Sequence, residues 1–217
     1  MDWTAQVDAY CERLGPGLWA EPVNALTNLA FVIAAVWLWP RTAGRGLARA
    51  LVVILFAIGI GSGLFHTTAT RWAGVADVIP IALFILIYIY AINRDVWRWP
   101  VWLAALGTAA FIPYAAVVTP LVAMVPFLAI SGFYWTVPLL ILGYALALRR
   151  RAPLTARGLA TGAAILAVSL TFRSLDAGLC AAIPLGTHFM WHVLNAVMLS
   201  WMIHVYLRHG DSHPQRH

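Results

Sequence analysis

The chemistry-bearing side chains of this 217-residue chain fall into three short segments. His188 and His192, in His188-Phe189-Met190-Trp191-His192, stand one helical turn apart, where two imidazoles can share one metal ion. Ser62 and His66, in Gly61-Ser62-Gly63-Leu64-Phe65-His66, repeat that spacing, and Asp77 follows in Val75-Ala76-Asp77-Val78-Ile79-Pro80. Three histidines with an open fourth position are the ligand set of a catalytic zinc, which lowers the pKa of its water to about 7 and polarises a carbonyl. Asp77 beside such an ion could take a proton from the water and pass it to a leaving amine, a role worth ~10²- to 10⁴-fold. Ser62 could donate a hydrogen bond to the developing oxyanion. The chemistry to expect is hydrolysis. Taken singly, each histidine could equally be a satisfied packing residue, so the reading rests on the set.

These residues sit in a chain built for a lipid solvent. Hydrophobic residues make up 62% of it and charged residues 10%, against about 25% charged in soluble domains. A spanning helix needs about 20 mostly apolar residues, and seven such stretches run roughly from 23 to 39, 48 to 65, 76 to 92, 101 to 118, 127 to 148, 154 to 171 and 183 to 207. Pro113, Pro120, Pro126 and Pro138 punctuate the fourth and fifth, which could be cut differently to give six or eight. The expected fold is all-α, a seven-transmembrane helix bundle in a single domain over residues 1–217. Residues 1–22 would form an outer N-terminal segment, and residues 208–217 a disordered cytoplasmic tail. The acidic N-terminus lacks the basic start of a cleavable signal peptide.

Arginine sets the orientation. All 14 Lys+Arg residues are arginine, and they gather after the first, third, fifth and seventh spans, with only Arg13, Arg71 and Arg173 on the other side. Cytoplasmic loops carry the positive excess, which places the N-terminus outside and the C-terminus inside. Under that topology the second span ends outside while the third and seventh begin there. Ser62, His66, Asp77, His188 and His192 therefore share one depth, a convergence the arginines do not presuppose. His204 falls about 120° round the last helix from His192 and reads as interfacial. His209, His213 and His217 read as tail residues. The arginines are spread over separate loops instead of forming one nucleic-acid-binding face, so the net charge of +6 reads as contact with anionic headgroups and not as nucleic-acid binding. Arginine without lysine, among abundant Ala, Gly, Pro and Trp, points to a GC-rich genome and hence a bacterial cytoplasmic membrane. Arg173 and Asp176, three residues apart, are expected to pair with each other.

The spacing of Ser62, His66, Asp77, His188 and His192 resembles that of the alkaline ceramidases, integral membrane zinc amidases that cleave ceramide to sphingosine and fatty acid. The resemblance spans most of the chain and reaches the wider superfamily that includes adiponectin-receptor-like proteins. It implies that His66, His188 and His192 bind zinc, with Asp77 and Ser62 serving the water and the oxyanion, and that the substrate is ceramide or another N-acyl lipid taken from the bilayer. Tyr10-Cys11-Glu12 and Ala20-Glu21-Pro22-Val23-Asn24 resemble a segment that binds calcium in eukaryotic members, which implies Asp8, Glu12 and Glu21 as its ligands. The fit is looser there: Ala9 and Leu14 stand where the family has an acidic residue and an asparagine. The resemblance also implies a disulfide between Cys11 and Cys180. Two other functions remain open at this point: a non-catalytic lipid receptor with structural zinc, and a haem protein with histidine axial ligands.

Overall fold

The computed structural model describes residues 2–212, whose regular secondary structure is helical apart from one isolated β-bridge, Gln6 with Thr70. The helices are α1 (Pro22–Thr27), α2 (Leu29–Leu38), α3 (Gly46–Thr68), α4 (Arg71–Ala91), α5 (Val101–Ala109), α6 (Phe111–Ala123), α7 (Pro126–Ala129), α8 (Gly132–Leu148), α9 (Pro153–Leu179) and α10 (His188–Ser212). Proline at the first turns of α1, α7 and α9 starts them where a missing N–H costs nothing.

Among the described residues, six helical stretches are long and apolar enough to cross a membrane: 22–42, 46–68, 71–96, 101–123, 153–179 and 188–211. The expected fifth span is the difference. Pro126 opens the single turn α7, Ser131 breaks from helical geometry, and α8 restarts at Gly132, which leaves 17 residues. At 1.5 Å per residue that is about 26 Å, short of a hydrocarbon core of about 30 Å. Other ends also move. α4 begins at Arg71 and α9 runs on to Leu179, so Asp77, Arg173 and Asp176 all lie within helices.

The C-terminal boundary differs as well. α10 continues to Ser212, so residues 208–212 are helix and not tail. His209 is buried there, its Nδ1 2.9 Å from the Thr155 hydroxyl. His204 is exposed beside Trp201. His213, Arg216 and His217 lie outside the described residues.

Leucine, isoleucine and aromatic residues from α2, α3, α4, α8, α9 and α10 form one buried core. Many equally large apolar side chains face outward, among them Ile33, Trp102 and Leu121. An outer surface that apolar is stable against lipid, where burying it offers no hydrophobic gain. Helices approach closely where side chains vanish: a Cβ on Gly61 would lie 2.2 Å from the Ala76 carbonyl oxygen, so α3 and α4 meet backbone to backbone there.

Candidate metal centre

His66 occupies the last turn of α3, and His188 and His192 occupy the first turns of α10. Each is 1% exposed, and one ligand atom from each comes within 4.8 Å of the others. The Nε2 atoms of His66 and His192 face each other at 3.0 Å.

The partners of these rings test whether a metal fits. His66 Nδ1 lies 2.6 Å from Glu21 Oε2 and donates to that carboxylate, which leaves Nε2 with a lone pair. His192 Nδ1 lies 2.9 Å from the Thr27 hydroxyl. That hydroxyl already directs its one proton to the Val23 and Asn24 carbonyls, so toward His192 its oxygen accepts. His192 Nε2 is thus also a lone pair. In these tautomers two lone pairs oppose each other at 3.0 Å, an arrangement that a shared cation, a metal ion or a proton, would relieve. His188 Nδ1 is buried without a hydrogen-bond partner, and an orphaned buried polar atom calls for an explanation. Neutral imidazoles held by outer partners are how proteins present nitrogen to zinc. The residues fit such an ion.

An N-terminal strap covers the centre. Backbone hydrogen bonds pin it across the α3–α4 connection, from Val7 to Ala69 and from Arg71 and Trp72 to Ala5 and Trp3. A disulfide joins Cys11 to Cys180, 169 residues apart. Between those anchors Tyr10 stacks on His188, with ring centroids 3.7 Å apart. Burial pushes the Tyr10 hydroxyl well above its ordinary range, so it stays protonated. Glu21, just before α1, is 2% exposed. Burial alone would raise its pKa, but the hydrogen bonds from His66 and Arg13, with the Arg13 charge, outweigh that and hold the carboxyl below its usual range.

Ser62, one turn before His66, is buried, and Asp77 on α4 faces its hydroxyl. The Gly61–Ala76 approach brings them together. Both, with Asn195, supply polar groups to a mostly apolar cavity that runs along α4 past Phe84 to Ile89, with Tyr134, Trp191 and Met202 on its other walls. From Asp77 to Ile89 the helix rises about 18 Å.

The three carboxylates implied for calcium lie apart in their roles. Asp8 is exposed. Glu12 accepts the N–H groups of Val23 and Asn24 at 2.7 and 2.8 Å, satisfying orphan donors at the start of α1. Glu21 serves His66, Arg13 and Asn24.

Arg173 and Asp176 do not pair. Arg173 donates to Ser131 Oγ at 2.7 Å and to the Ile130 carbonyl, with its guanidinium against the Tyr134 and Trp191 rings. Asp176 accepts from the N–H groups of Thr187 and His188 at 2.6 and 2.8 Å, and from that of Cys11 at 3.1 Å. The first turn of a helix leaves its N–H groups without partners, and that demand outcompetes a neighbouring guanidinium. Asp176 thus fixes both the strap and the entry of His188. Gly186, at φ +68°, makes the contact possible, since a Cβ there would lie 2.2 Å from Asp176 Oδ1.

Sequence reasoning missed Thr27, Tyr10 and the roles of Asp176 and Glu21. Tyr10 carried a usable signal, adjacency to a cysteine expected to be tied near the last helix. Thr27 carried none, being 165 residues from His192.

The model of the family described as Ceramidase matches residues 4–217, essentially the whole chain. The chain belongs to the ceramidase family. No curated protein matches it. Ceramidase membership implies a metal-dependent hydrolase acting on ceramide-like lipids, and the six apolar helices agree with a multi-pass membrane protein. In this ceramidase-family chain the three-histidine cluster is compatible with the metal that the family requires.

Proposed function

We propose that this protein is a zinc-dependent intramembrane amidase that cleaves ceramide or a related N-acyl lipid into a fatty acid and an amine. The observation that carries the reading is the opposed Nε2 atoms of His66 and His192, whose Nδ1 atoms are held by partners, beside the unpartnered Nδ1 of His188, with Ser62 and Asp77 lining an apolar cavity. Zinc held by these histidines would activate water and polarise the scissile carbonyl.

The chain's own residues do the rest. Glu21 and Thr27 fix the tautomers and ring orientations of His66 and His192. Asp77 accepts the proton of the attacking water and returns it to the leaving nitrogen. Ser62 donates to the carbonyl oxygen as its charge grows. The cavity along α4 takes an acyl chain and keeps bulk water from the reacting amide.

A seven-span arrangement, with α8 as the short span and the N-terminus outside, fits this scheme. The disulfide and the strap then lie on the oxidising face, and the arginine-rich loops on the cytoplasmic one. The arrangement suits a bacterial cytoplasmic membrane. The experiment is fatty-acid release from labelled ceramide by the purified protein, lost on chelation and restored by zinc. Bound zinc without turnover across a panel of N-acyl lipids would favour a receptor instead.

A further inference from the structure

The strap holds a buried positive charge that the amidase scheme does not use. Arg13 is 6% exposed. Its Nε donates to Glu21 Oε1, one terminal nitrogen to the Gly15 carbonyl at 3.0 Å, and the other to the His66 carbonyl at 3.3 Å. One guanidinium therefore ties together the strap, the carboxylate that orients His66, and the backbone of His66 itself.

This is the region in which the family resemblance implied calcium, and the residues do not fit that ion. Calcium takes six to eight oxygen ligands. Both Glu12 oxygens are engaged by backbone N–H groups, and both Glu21 oxygens by Arg13, His66 and Asn24. Ala9 offers no side-chain oxygen, and Leu14 is 91% exposed and apolar. A divalent ion beside Glu21 would also meet the guanidinium charge.

We propose that Arg13 is a built-in cation that takes the structural part of a divalent ion in the strap. It is a positioning residue. It neutralises Glu21 from behind, presents the other carboxylate oxygen to His66 Nδ1, and makes the metal centre independent of calcium. A planar fork with fixed donor directions suits this better than a point charge would.

The inference rests on His66 being a zinc ligand, and the test separates the two. The full chain in detergent is titrated with calcium while its melting temperature and bound calcium are followed. Zinc affinity is measured by competition with a chromogenic chelator for the wild type, Arg13→Ala, Arg13→Lys, Glu21→Gln and Arg13→Ala/Glu21→Gln.

The proposal expects no calcium bound and no thermal shift. It expects zinc affinity down ~10- to 100-fold in Arg13→Ala, only partly restored in Arg13→Lys, and a double variant no weaker than the worse single one. Zinc-loaded wild type that also binds calcium stoichiometrically, or Arg13→Ala with unchanged zinc affinity, overturns it. The calcium titration decides the matter even if Arg13→Ala does not fold. Wild type that takes up no zinc overturns the metal-site reading as well.

Discussion

Glu21 Oε2 receives the Nδ1 proton of His66 at 2.6 Å, so a carboxylate just ahead of the first helix sets the tautomer of an imidazole 45 residues later. The strap that covers the candidate metal centre is therefore also part of it. Outer partners of metal-binding histidines typically change affinity by ~10- to 100-fold. Glu21→Gln should weaken zinc binding within that range while the helical content stays unchanged. Chelator competition and circular dichroism together check it.

Glu21 also predicts the acid behaviour of the fold. Its carboxyl is held below its ordinary value of 4.5, because contacts with His66 and Arg13 outweigh the opposing effect of burial. A group whose folded pKa is depressed stabilises fully above its unfolded value and loses that contribution as pH falls through the folded one. Melting temperature should hold down to about pH 4.5 and decline below it, and Glu21→Gln should flatten that decline. An identical acid decline in the variant would assign it to other carboxylates.

Asp77 and Ser62 should separate chemistry from metal binding. Asp77→Asn is expected to lower turnover by ~10²- to 10⁴-fold, and Ser62→Ala by ~10²- to 10³-fold, each with bound zinc unchanged. Loss of zinc in either variant would make that residue part of the binding site instead.

Gly61→Ala probes the approach that joins them. The added Cβ would meet the Ala76 carbonyl oxygen at 2.2 Å, so α3 and α4 must part. Overpacking of this kind typically costs about 1 to 3 kcal/mol. Turnover should fall with stability, and Gly63→Ala, whose nearest neighbour is at 3.9 Å, should be close to silent.

Asp176 and the disulfide anchor the strap from the other side. Removing the carboxylate in Asp176→Ala strands the N–H groups of Cys11, Thr187 and His188, at about 1 to 3 kcal/mol for each that finds no water. Reducing Cys11–Cys180 frees a loop of 169 residues, a loss of roughly 2 to 5 kcal/mol. Both should lower the melting temperature and speed zinc release, which a stopped-flow chelator assay reads directly.

Much of this centre was legible in the sequence because its inner residues follow helical periodicity. Ser62 with His66, and His188 with His192, are one turn apart, and arginine bias brought their helix ends to one depth. What stayed hidden depends on contacts without periodicity. Glu21 entered only through the resemblance, as an implied calcium ligand, and nothing in a loop carboxylate's sequence position announces its hydrogen bond to His66. Asp176 read as the partner of Arg173 because proximity in sequence cannot weigh an exposed pairing against the unsatisfied N–H groups of α10. The prolines marked the tract around Ser131 as one that could be cut differently, but not where the break falls. The helical run through Arg208 and His209 was hidden, because composition there signalled a polar tail and packing against neighbouring helices decided otherwise.

The most direct measurement is fatty-acid release from labelled ceramide alongside zinc content, for purified wild type and His188→Ala. Wild type should carry about one zinc per chain and release fatty acid, and His188→Ala should lose both. Release that persists in His188→Ala and in the chelated wild type would contradict zinc catalysis at this centre.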